Sequence, residues 1–349
     1  MTLSAGTRDD QVQAPHDGAP PPAGRSRRTT AWPLELVERF GLVLLLGGIV
    51  VFFCLWPATS DVFPTVANVR NIAANESILV IAALAALIPL VAERFDLSVG
   101  AIVATTSIAT AKIATEWELP LVLAIAGGVL VGAAIGLVNG FLIAYFNANS
   151  LVITLGMSTL LAGIGVLWTG YQTLLGVPQP LLDFGNLSWL GIPRPVWLLA
   201  ATALAVAFLL GFTMFGRRLL AIGSNEPASR LVGMPVSRTV MLAFACSGAV
   251  AGVAGVLLLA RTGSAAAGVG TGYTLPALAA IFLGSTTIRP GRFTVAGTLV
   301  GVFFVAVSIN GLTLAGAEDW VEPVFNGAAV VLAVSAAAVI AKKRKRAAR

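Results

Sequence analysis

Ten predominantly apolar runs recur along this chain, and they leave it few ways to fold other than across a lipid bilayer. They lie at about 40–56, 77–92, 98–114, 120–142, 150–168, 195–215, 239–260, 272–288, 293–313 and 323–341. A helix needs about 20 apolar residues to cross a hydrocarbon core about 30 Å thick. Charged residues make up only 11% of the 349, hydrophobic residues 57%, and the mean hydropathy is +0.89. A soluble domain carries about 25% charged residues. Ten-residue segments of strict alternation, as in a membrane barrel, are not evident. The expected fold is therefore an all-α polytopic membrane protein with about ten transmembrane helices. Its 37 glycines suit close helix packing and some broken helices.

One polar island, Arg217 to Arg238, interrupts the apolar runs. It carries Arg217, Arg218, Arg230 and Arg238 against the single acid Glu226. That bias places it on the cytoplasmic side. Asn225 is suited to cap a helix, with Glu226 and Pro227 in its first turn. Gly233 is a stop where a left-handed residue is needed. The result is a helix at about 226–232, too short to persist in water unaided. It is either a membrane-surface turn, with Arg230 on lipid phosphate, or a docking helix for a cytoplasmic protein.

The positive charges test this topology. With the first tail inside, eighteen of the 22 Lys and Arg fall in interior loops and tails, and only Arg70, Lys112, Arg194 and Arg261 lie toward the outside. Both termini are then cytoplasmic. Residues 1–35 are polar and rich in Pro, Gly and Ala, and read as a disordered tail. Residues 36–341 read as one transmembrane domain. Residues 342–349 form a basic tail suited to anionic headgroups. The net charge of +6 follows from this topology and does not point to nucleic acid. Cys54 and Cys246 sit in apolar runs without metal-type spacing, and His16 lies in the first tail.

Few polar residues enter the apolar regions. Glu93, Arg94 and Asp96 form the densest charge cluster between two runs, and such groups must be paired or wet. Asp96, with Ser98 behind it, can cap the next helix or serve a pathway or gate. Asn139 and Asn310 each precede a glycine near a span end. Such amides either bind sugar hydroxyls or bond across helices. The stretches around them, Gly128 to Gly140 and Gly297 to Gly311, echo one another. Paired halves with an internal two-fold repeat are one reading, and chance matching in Ala- and Val-rich spans is the other. There is no phosphate-binding P-loop, nucleophile elbow or HExxH motif. No span other than the ERFD turn carries an acid in its middle, as a proton-driven carrier would need. The chain thus reads as no enzyme and binds no cofactor itself.

Three stretches resemble the membrane permease subunit of monosaccharide-type ABC importers, the ribose/xylose/galactose family, over roughly residues 65–340. They are DLSVG (Asp96 to Gly100), GLVNGFLIAYFNANSLVITLGM (Gly136 to Met157) and GSNEPASRLVGM (Gly223 to Met234). Ser229 and Met234 stand where the family has alanine and isoleucine. GSTTIRPGRF (Gly284 to Phe293) departs from the family's glycine-rich loop. The resemblance implies an ABC importer permease architecture in a bacterial plasma (inner) membrane, with a permease homodimer around a path for a monosaccharide. A separate cytoplasmic ATPase would spend the ATP, and an extracytoplasmic binding protein would deliver the solute. The 226–232 segment would be the coupling helix. Asn225 and Gly233 would set its ends, Glu226 and Arg230 would make polar contacts, and Ala228 and Leu231 would pack into the ATPase. Asp96, Ser98, Asn139 and Asn310 are the candidate path or gate residues. The competing reading is an ion-coupled secondary transporter or channel acting without an ATPase.

Overall fold

The computed structural model describes residues 32–329 together with 331, 332 and 335. Twelve helices are named here in order: α1 (Trp32–Leu55), α2 (Val66–Leu90), α3 (Val99–Thr115), α4 (Leu121–Tyr145), α5 (Ser150–Thr169), α6 (Gln179–Asn186), α7 (Arg194–Phe212), α8 (Met214–Ser224), α9 (Glu226–Leu231), α10 (Val236–Thr262), α11 (Thr274–Gly284) and α12 (Val295–Leu314). Residues 321–329 are helical too, and a two-residue hairpin pairs Ser188–Trp189 with Ile192–Pro193. Local chemistry sets many of the ends. The side chains of Thr65, Asn149, Thr213 and Thr294 accept from backbone N–H groups in the first turns of α2, α5, α8 and α12. Gly170 and Gly263 close α5 and α10 in the left-handed region.

Among the described residues six helices are long and apolar enough to cross a membrane: α2, α4, α5, α7, α10 and α12. The apolar part of α1 and the whole of α3 are shorter. At 1.5 Å per residue α11 is only about 16 Å long, about half a bilayer core. It is a half-helix entered through a 3-10 turn at Val269–Tyr273, so the full span expected at 272–288 does not form. Of the last expected span, 323–341, only 323–329, 331, 332 and 335 are described, and both tails fall largely outside the described residues. The helix α1 begins at Trp32, so residues 32–35 belong to it and not to the tail.

The inner layer is α2, α3 and α10. Val80 to Leu90 of α2 are all buried, as is nearly all of α3. Around them α4, α5 and α7 turn large side chains such as Leu130, Leu155 and Leu204 outward. Lipid satisfies no polar group, and several hydroxyls inside the bundle bond their own helix. Thr105, Thr106 and Thr110 of α3 each donate to the carbonyl four residues back, at 2.8 Å.

The tightest seam is between α4 and α10. Gly128, Gly132, Gly136 and Gly140 recur every fourth residue of α4, the small-residue spacing that lets backbones touch. A Cβ added at Gly132 would overlap the Gly248 carbonyl, one at Gly136 the Phe244 carbonyl, and one at Gly140 would come within 2.6 Å of the Met241 carbonyl. The reversed order of partners makes the two helices antiparallel.

Three further sequence expectations need correction. The helix α2 starts at Val66, eleven residues before the expected span, because its polar residues find remote partners. Asn68 exchanges amide bonds with Asn310 of α12 at 3.0 and 3.2 Å, and Asn75 takes the Arg261 guanidinium. Glu76 thereby lies in the middle of a span, where no acid was expected. The island also opens with a helix, α8, in place of a loop. Gly216, Leu219 and Ile222 are buried three residues apart while Arg217 and Arg218 point away.

Gly136→Leu is expected to disrupt the α4–α10 seam, overpacking of this kind costing about 1–3 kcal/mol or more. Gly156→Ala, which meets nothing within 4 Å, is the control. Size-exclusion profiles after a heating series should show early loss of the monodisperse peak for Gly136→Leu alone.

Candidate functional site

The turn joining α2 to α3, residues 91–98, gathers polar bonds from four other helices. Pro89 lies in the last turn of α2, and Glu93 takes a left-handed φ of 57° that few side chains adopt. Asp96 then enters the core, 1% exposed. Its Oδ1 accepts from the Ser98 N–H at 3.0 Å and the Ser98 hydroxyl at 2.6 Å, and its Oδ2 accepts from the Ser247 hydroxyl of α10 at 3.2 Å. Asn139 of α4, 0% exposed, donates Nδ2 to the Ser98 Oγ at 2.9 Å. From α5, Ser150 accepts the Phe95 N–H at 3.2 Å and Thr154 accepts the Leu97 N–H at 3.0 Å.

The same turn reaches the island. Arg94 forms an ion pair with Glu226, the first residue of α9. The Glu226 carboxylate also takes Arg230, one helical turn on, at 2.8 Å. Asn225 caps α9 by accepting the Ala228 N–H at 3.0 Å, and Gly233 leaves it at a φ of 77°. Ser229 is buried and donates to the Asn225 carbonyl at 2.9 Å, so a small residue belongs there. Ala228 is exposed, Leu231 is 89% exposed and Val232 71%. Two large apolar side chains thus stand clear of the bundle at the end of a six-residue helix. The helix α8 is pressed against the turn, since a Cβ at Gly223 would overlap the Val91 carbonyl. A cavity of about 290 Å³ lies between them, lined by Glu93, Ser224 and Arg292 among others.

The structure therefore joins Asp96, Ser98 and Asn139 in one cluster and ties that cluster's turn to α9 through Arg94. Asn310 is not part of it. Paired with Asn68, it sits toward the opposite end of the bundle, because α12 runs away from the island end where α4 runs toward it. The helix-spanning partners Ser247, Ser150 and Thr154 were not singled out as site residues. Their signal was a lone hydroxyl in an apolar run, which many satisfied threonines share. Glu226, expected to make polar contacts, makes them to Arg94 and Arg230 of this chain.

Asp96→Leu should abandon the Ser98 and Ser247 donors at about 1–3 kcal/mol for each buried group. Asp96→Asn keeps one carbonyl oxygen for Ser98. Thermal unfolding in lipid nanodiscs is expected to rank wild type, then Asp96→Asn, then Asp96→Leu, with the last several degrees below the second.

Comparison with known proteins agrees with this architecture. The family model described as the permease component of branched-chain amino acid transport systems matches residues 68–334. The chain is 33% identical over 319 residues to the ribose import permease protein of Escherichia coli, covering 89% of this chain and 96% of that protein. It is 31% identical over 328 residues to the L-arabinose ABC transporter permease protein of Azospirillum brasilense, covering 93% and 95%. It is 29% identical over 305 residues to the D-allose transport system permease protein of Escherichia coli, covering 87% and 93%. No solved structure matches it significantly. A family model that spans the helical body from α2 onward, with relatives aligned almost end to end, establishes that this multi-pass membrane chain belongs to the family of ABC-type permease components of bacterial uptake systems.

Proposed function

We propose that this chain forms the transmembrane path of an importer for a small polar solute, most simply a monosaccharide, and that a separate cytoplasmic ATPase drives it through α9. The observation that carries this reading is the pair Leu231 and Val232, held in the open on a capped helix whose base is bonded back into the bundle. Exposed apolar side chains of that size favour a partner groove over water. The ion pair from Arg94 to Glu226 gives α9 a route into the spans. A push on α9 would move the 91–98 turn, and with it the bonds to α4, α5 and α10. In this orientation the island and both termini face the cytoplasm, as the arginine bias supports. An extracytoplasmic binding protein would deliver solute at the other face, and two copies of the chain would enclose the path. The named relatives carry ribose, L-arabinose and D-allose, which supports a monosaccharide.

The test is reconstitution with the ATPase and binding protein of the same system. Leu231→Asp, at a side chain with almost no packing to lose, should abolish ATPase copurification while the permease stays monodisperse. Arg94→Ala should still recruit the ATPase but lower solute-stimulated uptake at least tenfold relative to ATP hydrolysed. Unchanged uptake in both variants would overturn the docking assignment. Uptake that persists without the ATPase and stops with a protonophore would favour an ion-coupled carrier instead.

A further inference from the structure

Away from the island, the first half of α2, the turn into α11, the end of α12 and helical residues 321–329 enclose a cavity of about 260 Å³. Its polar lining is Glu76, Glu322, Tyr273, Asn75 and Asn326. Asn326 is 8% exposed, and its Oδ1 has no hydrogen-bond partner. Glu322 stands close enough to Glu76 to repel it. Among the described residues neither carboxylate has an ion-pair partner, and no Lys or Arg lines the cavity. The Arg261 guanidinium, which meets the lining at Asn75, is also held by the Asn186 side chain and the Gly185 carbonyl.

Three features of this lining select a ligand. The volume is far above the roughly 10–15 Å³ that one water needs and just below the range of about 300–1,000 Å³ for organic ligands. A bare metal ion would leave it mostly empty. The lining is rich in acceptors, with an orphaned carbonyl oxygen that calls for an N–H or O–H donor. Glu76 is half-buried and Glu322 exposed, and with no cationic side chain in the lining a cationic group is the complement of the pair. Leu79, Pro276 and Ile309 supply apolar wall for a carbon skeleton.

We propose that this cavity binds a monosaccharide-sized solute bearing a positive charge, an amino sugar in the simplest case. Its ammonium lies between Glu76 and Glu322, and a hydroxyl donates to the Asn326 Oδ1. This rests on the importer reading above, on which the cavity opens toward the outer face. A neutral sugar leaves both carboxylates uncompensated, and an acidic one adds to the repulsion.

The experiment is equilibrium binding to the full-length permease with its ATPase in nanodiscs, at neutral pH, with D-glucosamine, D-glucose and D-glucuronate as probes of one size and three charges. Saturable D-glucosamine binding at least tenfold tighter than D-glucose, with none for D-glucuronate, is expected. Glu76→Gln and Glu322→Gln should each weaken it at least tenfold. Glu322 is exposed, so its variant reports on the cavity even where Glu76→Gln fails to fold. Equal affinity for D-glucose, affinity unchanged by Glu322→Gln, or no saturable binding of D-glucosamine would each overturn the proposal. If binding fails while ATP hydrolysis still drives uptake, only the cavity assignment falls. If D-glucosamine binds a permease that recruits no ATPase, only the importer reading falls.

Discussion

Lipid offers no hydrogen bonds, and that constraint decides where every polar side chain of this protein goes. An acid or amide inside the bundle must find a partner from another helix or its own backbone. The 91–98 turn is where this requirement concentrates. Asp96, Ser98, Asn139 and Ser247 bond one another in the core, with only the Asn139 Oδ1 left without a partner, and Ser150 and Thr154 take the turn's backbone N–H groups. The turn cannot move alone without breaking bonds that nothing nearby replaces. Its position is therefore a shared property of α3, α4, α5 and α10.

Arg94 extends that network beyond the apolar core. The pair with Glu226 is partly exposed, so on its own it adds little stability. Its value is geometric. It connects the short helix α9, which has almost no packing of its own, to the most constrained turn in the molecule. Arg230 shares the carboxylate and aligns it, while Asn225 and Gly233 fix where the helix starts and stops. A helix of six residues gains a defined orientation from three local devices and one remote charge.

Those local devices were readable from the sequence, and the remote ones were not. The cap at Asn225, the stop at Gly233 and the apolar runs each depend on residues within one or two turns. The start of α2 does not. Asn71, Asn75 and Glu76 look like loop chemistry until Asn68 meets Asn310, 242 residues away, and Asn75 meets Arg261. The composition of 272–288 suits a full span, and composition alone does not show that the helix stops at Gly284. That Arg94 must be paired or wet was legible, but the identity of its partner, Glu226, needed the fold. The fourfold glycine period on α4 lay open in the sequence, yet its partner surface on α10 did not.

That glycine seam bears on how the bundle can change shape. Where α4 and α10 touch backbone to backbone, any slide other than a whole four-residue step, about 6 Å, drives a side chain into a carbonyl. Small gliding motions along this contact are blocked, so the two helices travel as one strut. Rearrangement between alternate states must then be absorbed at looser contacts, with this strut as the rigid arm that carries it.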